Sequence, residues 1–257
     1  MEARRALVRR PSPRLADGLV THLERTPVDV DLARQQWDGY VAALHEAGWE
    51  TIEVPRADDC PDSVFVEDTV VMYGERAVIT RPGADERRPE TSGTASVLRG
   101  LGYDVVSIEA PGTLDGGDVL KHGGTVWVKV GGRTNQAGVD QLASYLGPYR
   151  ARVVGVPVSK VLHLKSAVTA LPDGTILGYP PLVDDVTLWP SFLEVPEESG
   201  AHVVLLGHDR ILMAASAPRT REMLEARGLE VVAVDISEYE KLEGCVTCLS
   251  VRLRHTP

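Results

Sequence analysis

One pattern constrains this chain more than any other: a strand, a tight turn, a returning strand, a helix and a third strand recur along it. Recurrence of a supersecondary unit decides architecture before any single element does, because each unit must bury its apolar face against its neighbours. In the first full unit, residues 64–73 read as a strand, Gly74 turns the chain and 77–81 return. A helix over 91–101 stops at Gly102, and strand 104–109 completes the unit. The second unit runs DVLKH, a turn at Gly123 and Gly124, TVWVKV, a helix over 134–146 and RVVGVPV. Val139, Leu142, Ala143 and Leu146 mark the apolar face of that helix, with Thr134 as N-cap and Gly147 as stop. The third unit begins LKSAVTAL, turns at Pro172, Asp173 and Gly174 and returns as TILGY, with a weakly signalled helix at 184–192. The fourth runs AHVVLLG, RILMAA, a helix over 218–227 and EVVAV. The remaining pieces are a C-terminal strand, 246–253, and an N-terminal strand ALVRR, helix 31–47 and strand TIEVP. Joined, they make a fifth unit. The predicted fold is an α/β, five-bladed ββαβ propeller whose ring is closed by pairing the N- and C-terminal segments. An open doubly wound sheet is the rival, but no glycine-rich phosphate loop follows any strand.

No linker or low-complexity tract divides the 257 residues, which reads as a single domain over 1–257. A net charge of -10 argues against a nucleic-acid partner, which needs a basic face. It permits a cationic small molecule without requiring one. No apolar run approaches the roughly 20 residues that span a bilayer, so no membrane partner is expected. The first residues, MEARRALVRRP, lack the apolar core of a signal peptide. Three cysteines, an odd and low count, argue against a disulfide framework and for a cytoplasmic location. Oligomeric state is not legible.

Three stretches stand out, each where a unit begins. In DSVFVEDT, Phe65 and Glu67 share one face of a strand, and Asp68 takes the other unless the strand ends or bulges there. Adjacent carboxylates in an apolar stretch are costly to bury unless a cation faces them. In TLDGGDV, two glycines permit close backbone approach between Asp115 and Asp118, although a plain turn has the same appearance. A metal site there lacks a second ligand cluster. The third stretch is CVTC, ending at Cys248. Zinc needs four ligands, and only Cys60 remains besides. A thioredoxin-like redox motif opens a helix, whereas this one leads into a strand. Three residues apart on a strand, Cys245 and Cys248 face opposite ways, so Cys245 reads as structural. His163, in LHLKS, also begins a unit. A thiol near an imidazole oriented by a carboxylate is the general thiol-nucleophile arrangement.

Taken together, DSVFVEDT, ITRPGA, LDGGDVL, RTNQ, HLKS and GCVTCLSV resemble the dimethylarginine dimethylaminohydrolase family, within the amidinotransferase and arginine deiminase superfamily, from about residue 4 to 253. The resemblance implies the five-bladed pentein propeller and no cofactor or metal. It implies Cys248 as nucleophile, His163 as general acid and base, and Asp115 as the carboxylate paired with it. It sets Glu67 and Asp68 on the substrate's guanidinium, with Phe65 beside them, and Asp62 on the amino-acid end. Arg87 and Arg133 hold the α-carboxylate, Leu19 belongs to a lid loop, and Leu242 is a backbone contact near the nucleophile. The implied reaction hydrolyses asymmetric dimethylarginine or monomethylarginine to citrulline and an alkylamine through a covalent cysteine intermediate. The alternatives are hydrolysis of free arginine, as in the longer arginine deiminases, and a non-enzymatic arginine-binding propeller, which would lack the thiol or the histidine.

Overall fold

A computed structural model describes residues 4–253. It contains five three-stranded sheets. In chain order the elements are β1 (Arg4–Val8), α1 (Val30–Glu46), β2 (Trp49–Glu53), β3 (Val70–Tyr73), β4 (Arg76–Ile79), α2 (Thr91–Gly100) and β5 (Asp104–Ser107). There follow β6 (Val119–His122), β7 (Thr125–Val130), α3 (Gln136–Leu146), β8 (Arg152–Pro157), β9 (Val168–Ala170), β10 (Ile176–Gly178) and β11 (Phe192–Glu194). The last are β12 (Val203–Leu205), β13 (Arg210–Ala214), α4 (Pro218–Ala226), β14 (Glu230–Val234), α5 (Ser237–Glu240) and β15 (Val251–Leu253). In four sheets the first two strands form an antiparallel hairpin, and the third returns parallel to the second. The fifth sheet has the order β15-β1-β2, with β15 antiparallel and β2 parallel to β1. The expected pairing of the two terminal segments is thus present.

Inner strands such as β3 and β13 are buried on both faces because each packs against neighbouring sheets, while third strands such as β5 and β8 are partly exposed. Val70 and Met72 of β3 join a cluster with Leu7, Val251 and Leu253 of the terminal sheet. Val71 and Tyr73, alternating with them, join Val119, Val126 and Val128 of the next sheet. The period of two in a strand produces that division. Helix α1 shows the corresponding helical logic. Asp29 caps it by accepting the N–H groups of Asp31 and Leu32, and Ala33, Trp37, Tyr40 and Leu44 form its buried stripe. Burial of each such large side chain contributes about 1.5–3 kcal/mol.

Three local expectations fail. Residues 64–69 are not strand: Val66–Thr69 is a 3-10 turn, and pairing begins only at Val70. Likewise 246–249 is a turn, and the last strand shrinks to β15. Val66 packs in the cluster of Leu7, Met72 and Val251, and Val64 and Val246 pack in that of Ala6, Val204 and Leu212, so these residues are buried on strands while their own backbone turns, and their burial carries no strand period. The third unit holds no α-helix, only 3-10 turns at Pro180–Leu182 and Val186–Leu188. One smaller shift concerns α3. Its N-cap is Asn135, whose side chain accepts from Gly138, whereas Gly147 stands at its C-cap as expected.

Candidate active site

A short turn precedes the first strand of each unit, and these turns carry the chemistry. Val66–Thr69 leads into β3, Gly116–Asp118 into β6, Leu164–Ser166 toward β9, Glu198–Ala201 into β12 and turn 246–249 toward β15. Polar bonds join four of the five neighbouring pairs. Glu67 N–H donates to Cys248 O at 3.2 Å, Gly117 N–H to Asp68 Oδ1 at 2.8 Å and Leu164 N–H to Asp118 Oδ1 at 3.2 Å. His202 Nε2 lies 3.0 Å from Ser166 O. The approach is close enough to require glycine. A Cβ on Gly116 would fall 2.0 Å from Glu67 O, and one on Gly117 would fall 2.6 Å from His163 Nδ1.

Leu19, Asp62, Phe65, Asp68, Arg87, Arg133, His163, Leu242 and Cys248 line one small pocket. Asp115 lies behind it, fully buried, with Oδ2 at 3.1 Å from His163 Nε2 and Oδ1 accepting the N–H of Gly83. His163 Nδ1 is 3.8 Å from Asp68 Oδ1. Burial alone would lower the imidazole pKa, but Asp68, Asp118 and Asp115 overcome that penalty and raise it to about 9. Asp68 is also buried, yet His163 and Arg87 hold its carboxyl well below the usual range.

Two of the expected residues are placed differently. Glu67 does not line this pocket. Successive residues of a 3-10 turn diverge by about a third of a revolution, so Glu67 and Asp68 cannot face the same way. Glu67 borders a separate cavity of about 340 Å³, where Lys165 Nζ stands 2.6 Å from its Oε1 and Arg252 3.6 Å. Arg87 does line the pocket, but its nitrogens are already bonded. Nη1 donates to Asp68 Oδ2 at 2.6 Å, Nε and Nη2 to Glu90, and Nη2 also to the carbonyls of Asp62 and Phe65. Arg133 carries only a loose ion pair to Asp115 at 3.9 Å.

The N-terminal loop covers the pocket. Leu19 N–H donates to both oxygens of Asp62, at 3.2 and 3.1 Å, and the N–H groups of Thr21, His22 and Leu23 all point at Glu243 Oε1. The space left is about 20 Å³, room for about one water. An amino-acid ligand enters only if this loop lifts. Glu243 and Gly244, which complete the wall with Leu162, went unnoticed in the sequence, as did Lys165. Lys165 alone had a signal there, a cation inside an otherwise apolar pre-strand stretch.

No protein-family model matches the chain. It is 66% identical over 254 residues to the N(G),N(G)-dimethylarginine dimethylaminohydrolase of Streptomyces coelicolor, covering 99% of this chain and 98% of the relative. The chain belongs to the dimethylarginine dimethylaminohydrolase family. The Pseudomonas aeruginosa family member is 36% identical, with 96% and 98% covered. A cysteine-to-serine mutant of the P. aeruginosa enzyme complexed with citrulline superposes with a TM-score of 0.91 at 33% identity, over 98% of this chain and 100% of that one. A dimethylarginine dimethylaminohydrolase adduct with S-methyl-L-thiocitrulline also gives 0.91 at 33% identity, over 97% and 99%. The α/β pentein, propeller-like fold of the family is therefore the fold of this chain. Asp68, Asp115 and His163 offer ligand atoms within 4.8 Å of one another, a spacing that one metal ion could bridge. Both imidazole nitrogens already face these carboxylates, and Arg87, Gly117 and Gly83 bond to them as well, so an ion would compete with an established network.

Proposed function

We propose that this protein hydrolyses Nω-methylated arginine to citrulline and methylamine or dimethylamine, with Cys248 as nucleophile. The observation that carries the reading is that Cys248, His163 and Asp68 wall one pocket, with Asp115 behind the imidazole. The substrate's guanidinium lies against Asp68, whose carboxylate stays ionised under Arg87. Arg133, less committed than Arg87, takes the larger share of the α-carboxylate, and Asp62 serves the amino end. Glu67 acts from behind the nucleophile rather than on the substrate.

The thiolate of Cys248 attacks the guanidinium carbon and gives a tetrahedral adduct. His163, charged at neutral pH, delivers its proton to the alkylated nitrogen as the carbon–nitrogen bond breaks and the amine departs. An S-alkylthiouronium remains on Cys248. Neutral His163 then takes a proton from water as the water attacks that carbon. The carbon–sulfur bond breaks, the hydroxyl proton is lost to the released amine through solvent, the thiolate is restored and citrulline leaves. No cofactor enters this scheme. One catalytic unit spans the chain, and its three free cysteines suit a reducing, cytoplasmic setting.

The test is a product assay with arginine, monomethylarginine and asymmetric dimethylarginine side by side, repeated with Cys248→Ser. Citrulline and alkylamine from the methylated substrates, and none from the variant, are expected. Ammonia release from arginine alone would assign the pocket to arginine hydrolysis instead.

A further inference from the structure

The CVTC stretch carries chemistry that the hydrolytic reaction does not use. Cys245 Sγ lies 3.3 Å from Cys248 Sγ, and both are buried. The strand expected there would have separated them, but the chain turns instead. Cys248 N–H donates to Cys245 O at 3.0 Å, the bond that defines a β-turn. Such a turn brings its first and fourth Cα atoms within about 7 Å, and disulfides span about 4.4–6.8 Å. The sulfurs already touch, with Thr247 Oγ1 also 3.3 Å from Cys245 Sγ.

We propose that Cys245 and Cys248 are a modification site: a hydroperoxide converts them to a disulfide that reversibly blocks the nucleophile. The blocking role rests on Cys248 being that nucleophile. Cys248 lines the pocket and Cys245 does not, so peroxide meets Cys248 first. Cys245 and Cys248 share one proton between their sulfurs. The Cys248 sulfur attacks one peroxide oxygen, the oxygen–oxygen bond breaks, and the departing hydroxide takes that shared proton. This leaves a sulfenic acid on Cys248, a thiolate on Cys245 and one water. Cys245 Sγ then attacks the Cys248 sulfur. The sulfur–oxygen bond breaks, and the departing hydroxide takes a proton from solvent as a second water. The sulfur pair with its one proton, one solvent proton and one peroxide become one disulfide and two waters. Their hydrogen bond favours charge on Cys245, the sulfur suited to resolve the sulfenic acid. Cys60 is buried and has no thiol beside it, so it stops at oxygen addition.

The experiment oxidises the full chain with hydrogen peroxide after removal of reductant. Activity is then followed, and tryptic peptides are weighed. The peptide 242–252 contains both sulfurs and excludes Cys60. It is expected to become two hydrogens lighter as activity falls at least tenfold, and dithiothreitol should restore both. Cys245→Ser and Cys245→Ala, each compared with its own reduced activity, should lose activity irreversibly and gain oxygens on that peptide. Gain of oxygen in the unaltered protein, or recovery in the variants equal to that of the unaltered protein, would overturn the disulfide. A peptide two hydrogens lighter with full turnover would leave the disulfide standing and remove Cys248 as nucleophile.

Discussion

The contact with Cys245, burial and the carboxylates of Glu67 and Asp68 all push the Cys248 thiol well above its ordinary pKa. Under the proposed mechanism, a cationic substrate seated on Asp68 would reverse part of that field, and the thiolate would form mostly when substrate is bound. His163 carries the complementary charge. Its pKa is about 9 in the folded protein, against roughly 6.5 unfolded. The folded state therefore binds this proton more tightly. The resulting stabilisation is complete below about pH 6.5, declines as pH rises, and is gone above the folded value, on the order of 3 kcal/mol in all. Urea unfolding of the parent protein and of His163→Gln, run at both ends of that window, should show the gap between them narrowing with rising pH. A constant gap would mean that His163 is not held charged. Arg133 can be tested against the substrate itself. Removing the α-carboxylate, as in an agmatine-like amine, should lower kcat/KM by about 10²-fold or more, as loss of a charge-assisted contact does. Arg133→Ala should do the same with the intact substrate, and the two changes together should cost little more than either alone. Strict additivity would take Arg133 off the carboxylate.

Among the elements, the helices with a clear apolar face, α1 and α3, are legible because burying one face on the neighbouring sheets imposes a 3.6-residue period. The pre-strand turns were not. Val64, Val66 and Val246 are buried against strands while their own backbone turns, and such burial has no period to read. The motif residues were therefore found where units begin, while their facing was misjudged: Glu67 points away, and Cys245 points toward Cys248. The closeness of Gly117 to His163 and Asp68 is likewise a tertiary fact that a plain Asp-Gly-Gly turn conceals. Gly117→Ala should retain the far-ultraviolet circular dichroism of the parent and lower kcat by at least tenfold, since its Cβ must displace the imidazole or Asp68 Oδ1 at 2.7 Å. Unchanged kcat would show that the turn relaxes without moving either group. Asn135 holds a neighbouring junction, accepting from Thr113 and Gly138 and donating to Pro111 O. Its cap explains why the RTNQ motif belongs to the site's support as much as to its lining.

For the molecule as a whole, the sheet β15-β1-β2 matters most, because Cys248 stands just ahead of β15. Arg5 pairs with Leu253 in the antiparallel register, so the outer ends of β1 and β15 lie side by side as in a hairpin. A circular permutant should fold and turn over methylarginine at a rate comparable to the parent. It would join those ends by a short glycine-rich loop and open the chain between Gly123 and Gly124, an exposed turn. Loss of the fold would show that the order of synthesis matters to it. The same pairing also sets a clock. Loop closure across 248 positions, the separation of Arg5 and Leu253, is the longest strand pairing among the described residues, and long-range pairings form slowly. During refolding, helices and the four hairpin sheets can gain structure before that pairing forms. The turn that carries Cys248 becomes fixed only with it. Enzymatic activity should therefore emerge later than helical signal, and a ribosome-bound chain that lacks its last strand should be chemically idle however well its earlier sheets are built.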